Sequence, residues 1–296
     1  MRKIKHFLRN LQWLANHRIS SEFMNQKFII KDEVAEDMLY QYEEDLHSLH
    51  KLDIKSRRET VKLLMDNPKS YVRFGEGEIF LMQGIDQPFQ RYNERLAKQL
   101  INILEDYHEN LYVGVCSDYF HSYNSLHDES RKYYRLNGTD LRRFLVKHCN
   151  KDNIYIDACF TMAYFHEGDD FDFEGHYESM LGLFENKKIL LVSGEGVFEK
   201  LEFDVFQRAD DKRIIHAPSK NAYDVYDELK NKIISEVKQD ELVCMILGMA
   251  GKALTRELSD MGYMVWDSGH MAKDYDAYKR GVERTTKNVR EFYEPD

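Results

Sequence analysis

Apolar positions fall into two rhythms along the chain. Up to about residue 66 they recur at helical spacing: Ile4, Phe7, Leu8, Leu11 and Leu14, then Val34, Met38, Tyr42 and Leu46. A further helical pattern over 56–66 stops at Asn67-Pro68. Beyond it, short β-rich runs alternate with longer amphipathic ones. The pattern predicts strands at 71–74, 111–116, 153–158, 188–193, 213–217, 242–247 and 263–267. It predicts helices near 91–107, 139–149, 175–186, 197–207, 221–237 and 250–261, with loops at 117–137 and 167–174. Such alternation needs crossover connections. The expected fold is therefore α/β, a mostly parallel Rossmann-like sheet with helices on both faces and a helical N-terminal lead-in. The rhythm divides the chain into a helical extension, 1–66, and a main domain, 67–296.

Composition narrows the function classes. Apolar residues make up 43% of the chain, enough for a sizeable core, and no apolar run approaches the length of a membrane span. The formal net charge of -10 disfavours non-specific nucleic-acid binding, which needs clustered positive charge. Residues 1–18 depart from that average: Arg2, Lys3, Lys5, Arg9 and Arg18 stand among the apolar positions with no acid. A basic amphipathic helix of this kind suits peripheral contact with an anionic membrane, or docking on its own domain or a partner subunit, including a homodimer. No small-residue cleavage site follows, which argues against a secretory signal. Cys116, Cys149, Cys159 and Cys244 form no CxxC pair and read as buried free thiols in a reducing compartment, neither a disulfide framework nor a zinc site.

Chemistry gathers at the ends of predicted strands. After 71–74 comes Gly75-Glu76-Gly77-Glu78. In extended chain Glu76 and Glu78 face one side, and paired carboxylates hold a hard cation such as Mg²⁺ or Mn²⁺. Flanking glycines let a diphosphate approach the backbone. After 242–247, Gly248-Met-Ala-Gly251 opens a helix whose free N–H groups suit phosphate, although Lys252 does not complete P-loop spacing. Gly194-Glu-Gly196 starts a dinucleotide fingerprint that Glu199 breaks. After 263–267, Asp267, His270, Asp274 and Asp276 lie within ten residues, a set suited to metal ligation or acid–base work. Ser219, before the helix 221–237, reads as an N-cap.

The order of these motifs resembles the bacterial glycosyltransferases of the GT-D fold, a family first catalogued as a domain of unknown function. The resemblance rests on Arg73-Phe-Gly-Glu-Gly-Glu78, Pro218-Ser-Lys-Asn-Ala222, Leu247-Gly-Met-Ala-Gly-Lys-Ala-Leu254 and Asp267-Ser-Gly-His270, and covers about 70–278. It implies metal-dependent transfer of a sugar from a nucleotide-diphosphate donor, typically UDP-linked, to a hydroxyl of a glycan, lipid-linked or protein-linked acceptor. The family's Asp-x-Glu metal motif maps onto Glu76 and Glu78, with Glu where Asp is usual, and the ion would be Mn²⁺ or Mg²⁺. Arg73, Gly75, Gly77, Ser219, Asn221, Gly248, Gly251 and Asp267 fall at nucleotide-sugar-binding positions. His270, Asp274 and Asp276 supply the candidate base. The expected location is cytoplasmic, at the inner face of the membrane if residues 1–18 dock there. A Rossmann-type NAD or S-adenosylmethionine enzyme and a non-catalytic binding domain are the competing readings.

Overall fold

A computed structural model describes residues 52–121 and 123–293. The predicted helical patterns at 1–18 and 32–50 lie outside the described residues. Helix α1, Arg57–Asp66, closes the predicted lead-in. It starts in a capping box: Glu59 N donates to Ser56 Oγ at 3.3 Å, and Ser56 N donates to Glu59 Oε2 at 2.9 Å.

All seven predicted strands are present: β1 Ser70–Phe74, β2 Leu111–Val115, β3 Tyr155–Asp157, β4 Lys188–Gly194, β5 Asp211–Ala217, β6 Glu241–Ile246 and β7 Val265–Asp267. They form one parallel sheet in the order β3-β2-β1-β7-β6-β4-β5. Helices cover both faces: α2 Glu76–Met82, α3 Glu94–Glu105, α4 Asp128–His148, α5 Ala163–His166, α6 Phe173–Gly182, α7 Tyr226–Glu236, α8 Gly248–Asp260, α9 Met271–Arg280 and α10 Thr286–Tyr293. Helix α3 shows why they dock. Leu96, Leu100, Ile103 and Leu104 lie on its buried stripe, and each such side chain is worth roughly 1.5–3 kcal/mol when taken out of water.

Helices α9 and α10 lie where the sequence reading predicts none, and three further segments differ from it. Helix α4 begins at Asp128, inside the predicted loop 117–137. Gly138 is helical and lies against Tyr123, whose hydroxyl stands 2.5 Å from where a Cβ would be. Segment 197–207 is not helical; Asp276 accepts hydrogen bonds from Glu202 N at 2.8 Å and Phe203 N at 2.9 Å and holds it as turns. Residues Glu76–Met82 are helical rather than extended.

The centre of the sheet positions the site. Strand β7 is short and pairs with β1 in the ladder only at Tyr71 and Trp266. Side chains replace the missing rungs. Val265 N donates to Ser70 Oγ at 2.9 Å, Trp266 Nε1 to Lys69 O at 3.0 Å, and Arg73 N to Asp267 Oδ2 at 3.0 Å. Below these, Tyr71, Trp266, Phe160, Phe184 and Phe206 fill the core. From β1 the chain lays strands toward β3 on one side and later fills the other, so the β1–β7 boundary is the switch point where ligands bind in open α/β sheets.

Candidate active site

The C-terminal ends of β1 and β7 and the first turns of α2 and α8 meet at this switch point. Arg73, at the end of β1, is buried. Its Nε donates to Asp267 O at 2.7 Å, and its Nη1 donates to Ala158 O at 3.0 Å and to Thr161 Oγ1. Gly269 is in the left-handed region at φ 45°, and any Cβ there would collide with Nη2 of Arg73. Both the turn and the guanidinium packing therefore require glycine.

Helix α2 changes the geometry of the paired glutamates. Residues i and i+2 of a helix do not face one another as they do in a strand. Glu78 turns back to accept from Gly75 N at 2.8 Å, closing the helix start. Its other oxygen lies 3.2 Å from Lys252 Nζ. The same ammonium stands 3.0 Å from Asp267 Oδ2, and Arg73 Nη2 is 3.6 Å from Asp267 Oδ1. Two buried cations thus balance two buried carboxylates. Lys252 is missed by motif reasoning, because its spacing fails the P-loop pattern. The signal for it is a lysine one turn into a helix that follows a glycine turn.

Glu76 stands apart from this network. It is half-buried at the start of α2 and makes no ion pair among the described residues. Burial, and then the charge of Glu78, raises its carboxyl above the usual range. Burial first and Glu76 second push the phenols of Tyr119 and Tyr133 up, and both hydroxyls are buried without a hydrogen-bond partner. Both phenols thus lie within the field of the Glu76 carboxylate.

The other predicted residues divide. Gly75, Gly77 and Gly248 line the same strand ends, and Gly248 starts α8 at φ 52°. Gly251 packs inside α8, where a Cβ would press on Leu247 and Met245. Ser219 caps no helix: Asn221 precedes the 3₁₀ turn Ala222–Val225, and α7 starts only at Tyr226. Ser219 instead packs on Gly194, where a Cβ would come within 2.9 Å of it. Asn221 adopts φ 54° and ties two loops, donating from N to Phe89 O and accepting from Arg91 N, each at 2.8 Å. The Phe89 ring in turn meets His270 edge-on at 6.0 Å.

His270, Asp274 and Asp276 do not form a cluster. His270 is half-buried at the mouth. Burial, with the charges of Lys273, Arg73 and Lys252, pushes it down to about 3, so the imidazole is neutral. Asp274 is buried on α9 and accepts from Tyr164 N at 3.1 Å, Phe165 N at 3.3 Å and the Tyr177 hydroxyl. Burial pushes it up to about 7. Asp276 is spent on Glu202 N, Phe203 N and Arg280. Asp274 thus ties α9 to α5 and α6, and Asp276 anchors the turn at 202–203.

A second polar cluster lies beyond Ala158 and Thr161. Arg57 of α1 pairs with Asp118 at 2.8 Å, Asp157 at 3.2 Å and Glu167 at 2.7 Å. Beside them, Cys116, Asp157 and Cys159, and Asp118, Cys159 and His166, are two groups close enough to hold a metal ion. All four cysteines are buried free thiols, as the sequence suggests.

Comparison with known proteins agrees with this fold. Residues 71–293 match the model of the family described as "Glycosyltransferase GT-D fold". The chain is 27% identical over 237 residues to "Glycosyltransferase GlyD" of Streptococcus pneumoniae serotype 4, aligning 80% of this chain and 29% of that protein. It is 24% identical over 239 residues to "Probable glycosyl transferase Gly" of Streptococcus gordonii, aligning 80% of this chain and 34% of that protein. The chain thus spans about a third of the length of these curated relatives. A solved structure described as the highly conserved domain of unknown function 1792, with a distinct glycosyltransferase fold, superposes with a TM-score of 0.73 at 27% identity, covering 83% of this chain and 91% of that one. A glycosyltransferase of the same domain type from Streptococcus sanguinis shares the fold, with a TM-score of 0.72 at 23% identity, covering 83% of this chain and 95% of that one. The chain belongs to the glycosyltransferases of the GT-D fold.

Proposed function

We propose that this domain transfers a sugar from a nucleotide-diphosphate donor, UDP-linked, to a hydroxyl of a glycan or glycoconjugate acceptor. The observation that carries the reading is the meeting of Arg73, Lys252, Glu78 and Asp267 at the switch point, beside the N-terminus of α8. A leaving nucleoside diphosphate needs positive charge and aligned N–H donors. The first turn of α8 offers both. The N–H groups at its start have no intrahelical partner, and Lys252 adds an ammonium one turn further in.

The residues present fit a hard divalent ion on one side only. Glu76 is a carboxylate without an ion-pair partner among the described residues, half-buried at the start of α2, and its charge reaches the phenols of Tyr119 and Tyr133. Glu78 does not fit, because Lys252 and Gly75 N already occupy its two oxygens. Mn²⁺ or Mg²⁺ held by Glu76 would offset the charge of the donor diphosphate. The unsatisfied hydroxyls of Tyr119 and Tyr133 suit the hydroxyls of the donor sugar.

On the acceptor side, His270 is the only one of the three predicted bases that is half-buried rather than buried. A neutral imidazole at that mouth accepts a hydrogen bond from the incoming hydroxyl and orients it. Asp274 ties α9 to α5 and α6, and Asp276 holds the turn at 202–203. Hydrolysis and transfer assays with UDP-sugars on wild type and Tyr133→Phe test the reading. The variant should turn over more slowly, with a raised KM for the sugar donor and unchanged affinity for UDP itself. Equal kinetics for both would remove the donor-sugar assignment. Peripheral membrane docking through residues 1–18, at the inner face of the cytoplasmic membrane, remains part of the proposal, as does self-association.

A further inference from the structure

Four donor atoms from four segments converge between the ends of β2 and β3. Cys116 follows β2, Cys159 lies in the 3₁₀ turn Ala158–Thr161 after β3, His166 ends α5, and Tyr134 projects from α4. The two sulphurs are 3.2 Å apart, and Cys159 Sγ is 3.5 Å from His166 Nε2. The Tyr134 hydroxyl lies 3.2 Å from Cys116 Sγ, 3.9 Å from Cys159 Sγ and 3.1 Å from His166 Nε2. These are five of the six separations among the four donor atoms. A zinc ion with ligands at about 2.0–2.3 Å requires tetrahedral edges of about 3.3–3.8 Å. All four residues are buried.

The second ring nitrogen adds an independent observation. His166 Nδ1 is buried and has no hydrogen-bond partner, and it faces Asp118 Oδ2 across 3.7 Å. An ion on Nε2 fixes the ring proton on Nδ1, pointing at that carboxylate, which is how ligating imidazoles are oriented. Arg57 in turn holds Asp118 at 2.8 Å. The surroundings are electronegative, since Asp118, Asp157 and Glu167 outnumber the single guanidinium between them.

We propose that Cys116, Cys159 and His166 bind one zinc-class ion, with the Tyr134 hydroxyl at the fourth corner and Asp118 orienting the imidazole. Both thiols release their protons to solvent on binding, so two protons leave per ion and no oxidant is involved. The site adjoins the phenols that feel the Glu76 charge, since the Tyr134 ring packs edge-on against Tyr119 with 5.1 Å between centroids. Its effect on the reaction is through position: the turn that carries Cys159 also carries Ala158 O and Thr161 Oγ1, which hold the Arg73 guanidinium.

Metal analysis of the full chain, purified reduced and without chelator, tests this directly. Zinc at about one ion per chain is expected. Reconstitution of metal-depleted protein with Co²⁺ alone should give a thiolate-to-cobalt charge-transfer band and the intense visible bands of a tetrahedral site. Cys159→Ser and His166→Gln should lose both, whereas Cys149→Ser, which alters a buried thiol elsewhere, should keep both. If Cys159→Ser fails to fold, the wild-type cobalt spectrum still decides. Metal-free protein that gives no cobalt band would overturn the proposal and leave the Tyr134 hydroxyl as a hydrogen-bonding hub. Metal retained undiminished in a folded Cys159→Ser protein would overturn it equally.

Discussion

Replacing Lys252 with methionine isolates the charge balance at the switch point. The side chain keeps nearly its length, so packing changes little, while Glu78 and Asp267 lose their shared ammonium. At 3.2 and 3.0 Å, each attraction is about 5 kcal/mol at an effective dielectric near 20, before desolvation. Lys252 is only 4% exposed, so the carboxylates it leaves behind stay out of water. Removing one partner of a buried pair costs about 3–5 kcal/mol for that reason. For a domain of this size that is a fall in Tm of roughly 6–20 °C. Glu78→Gln in the Lys252→Met background should recover part of the loss, because it removes one of the two stranded charges. Urea unfolding of the four proteins in this cycle should therefore show a coupling of about 1–3 kcal/mol. Additivity within about 0.5 kcal/mol, or a Lys252→Met cost below about 1 kcal/mol, would refute the balanced-network reading. The same variant frees Glu78 for a metal, so Mn²⁺ should raise its Tm more than that of wild type.

Other outcomes follow from single contacts. Gly269→Ala should destabilise by about 2 kcal/mol or more, from strain at positive φ and from displacing Arg73, and thermal unfolding would show it. Gly138→Ala should destabilise as well, although Gly→Ala inside a helix ordinarily gains about 1 kcal/mol; denaturant melts of this variant with and without Tyr123→Ala should show the sign reverse. Asp274 gives a pH dependence. Its native carboxyl sits at about 7 against 3.8 when free, so its contribution is greatest below pH 3.8 and is lost as pH rises toward 7. Asp274→Asn should flatten that decline, which amounts to at most about 4 kcal/mol, in stability curves taken from pH 4 to 8.

Strands were the legible part of the fold because their apolar runs are rich in β-branched residues and bounded by turns. Residues 188–194 and 241–246 needed no tertiary information to be placed. Helix α4 was hidden by Asn137-Gly138, since sequence shows a helix breaker and only packing shows the Tyr123 hydroxyl that makes glycine necessary. Segment 197–207 has helical spacing but loses its backbone groups to Asp276, more than seventy residues away. Such long-range capture leaves no local signal.

At the site, the motif order revealed where the residues gather but not what each touches. Arg73, Asp267 and Gly269 come together at the β1–β7 boundary, and their packing explains why each is that residue type. Reading Glu76 and Glu78 as a facing pair assumed extended backbone, and the helix that starts at Glu76 separates them. Lys252 was passed over because the P-loop template asks for a different spacing, whereas the physical requirement is only an ammonium that reaches the strand ends. Cys116 and Cys159 lie 43 positions apart, so no spacing rule pairs them; adjacency of β2 and β3 does.

Thermal unfolding of the full chain with UDP plus Mn²⁺, compared with each alone and with GDP, NAD and S-adenosylmethionine, shows whether the switch point takes a nucleoside diphosphate. A ligand that binds only the native state raises Tm, by about 2.7 kcal/mol of stability at a hundredfold excess over Kd. The expected result is a rise with UDP that Mn²⁺ enlarges, and none with NAD or S-adenosylmethionine. A rise with either of those cofactors and none with UDP or GDP would contradict it.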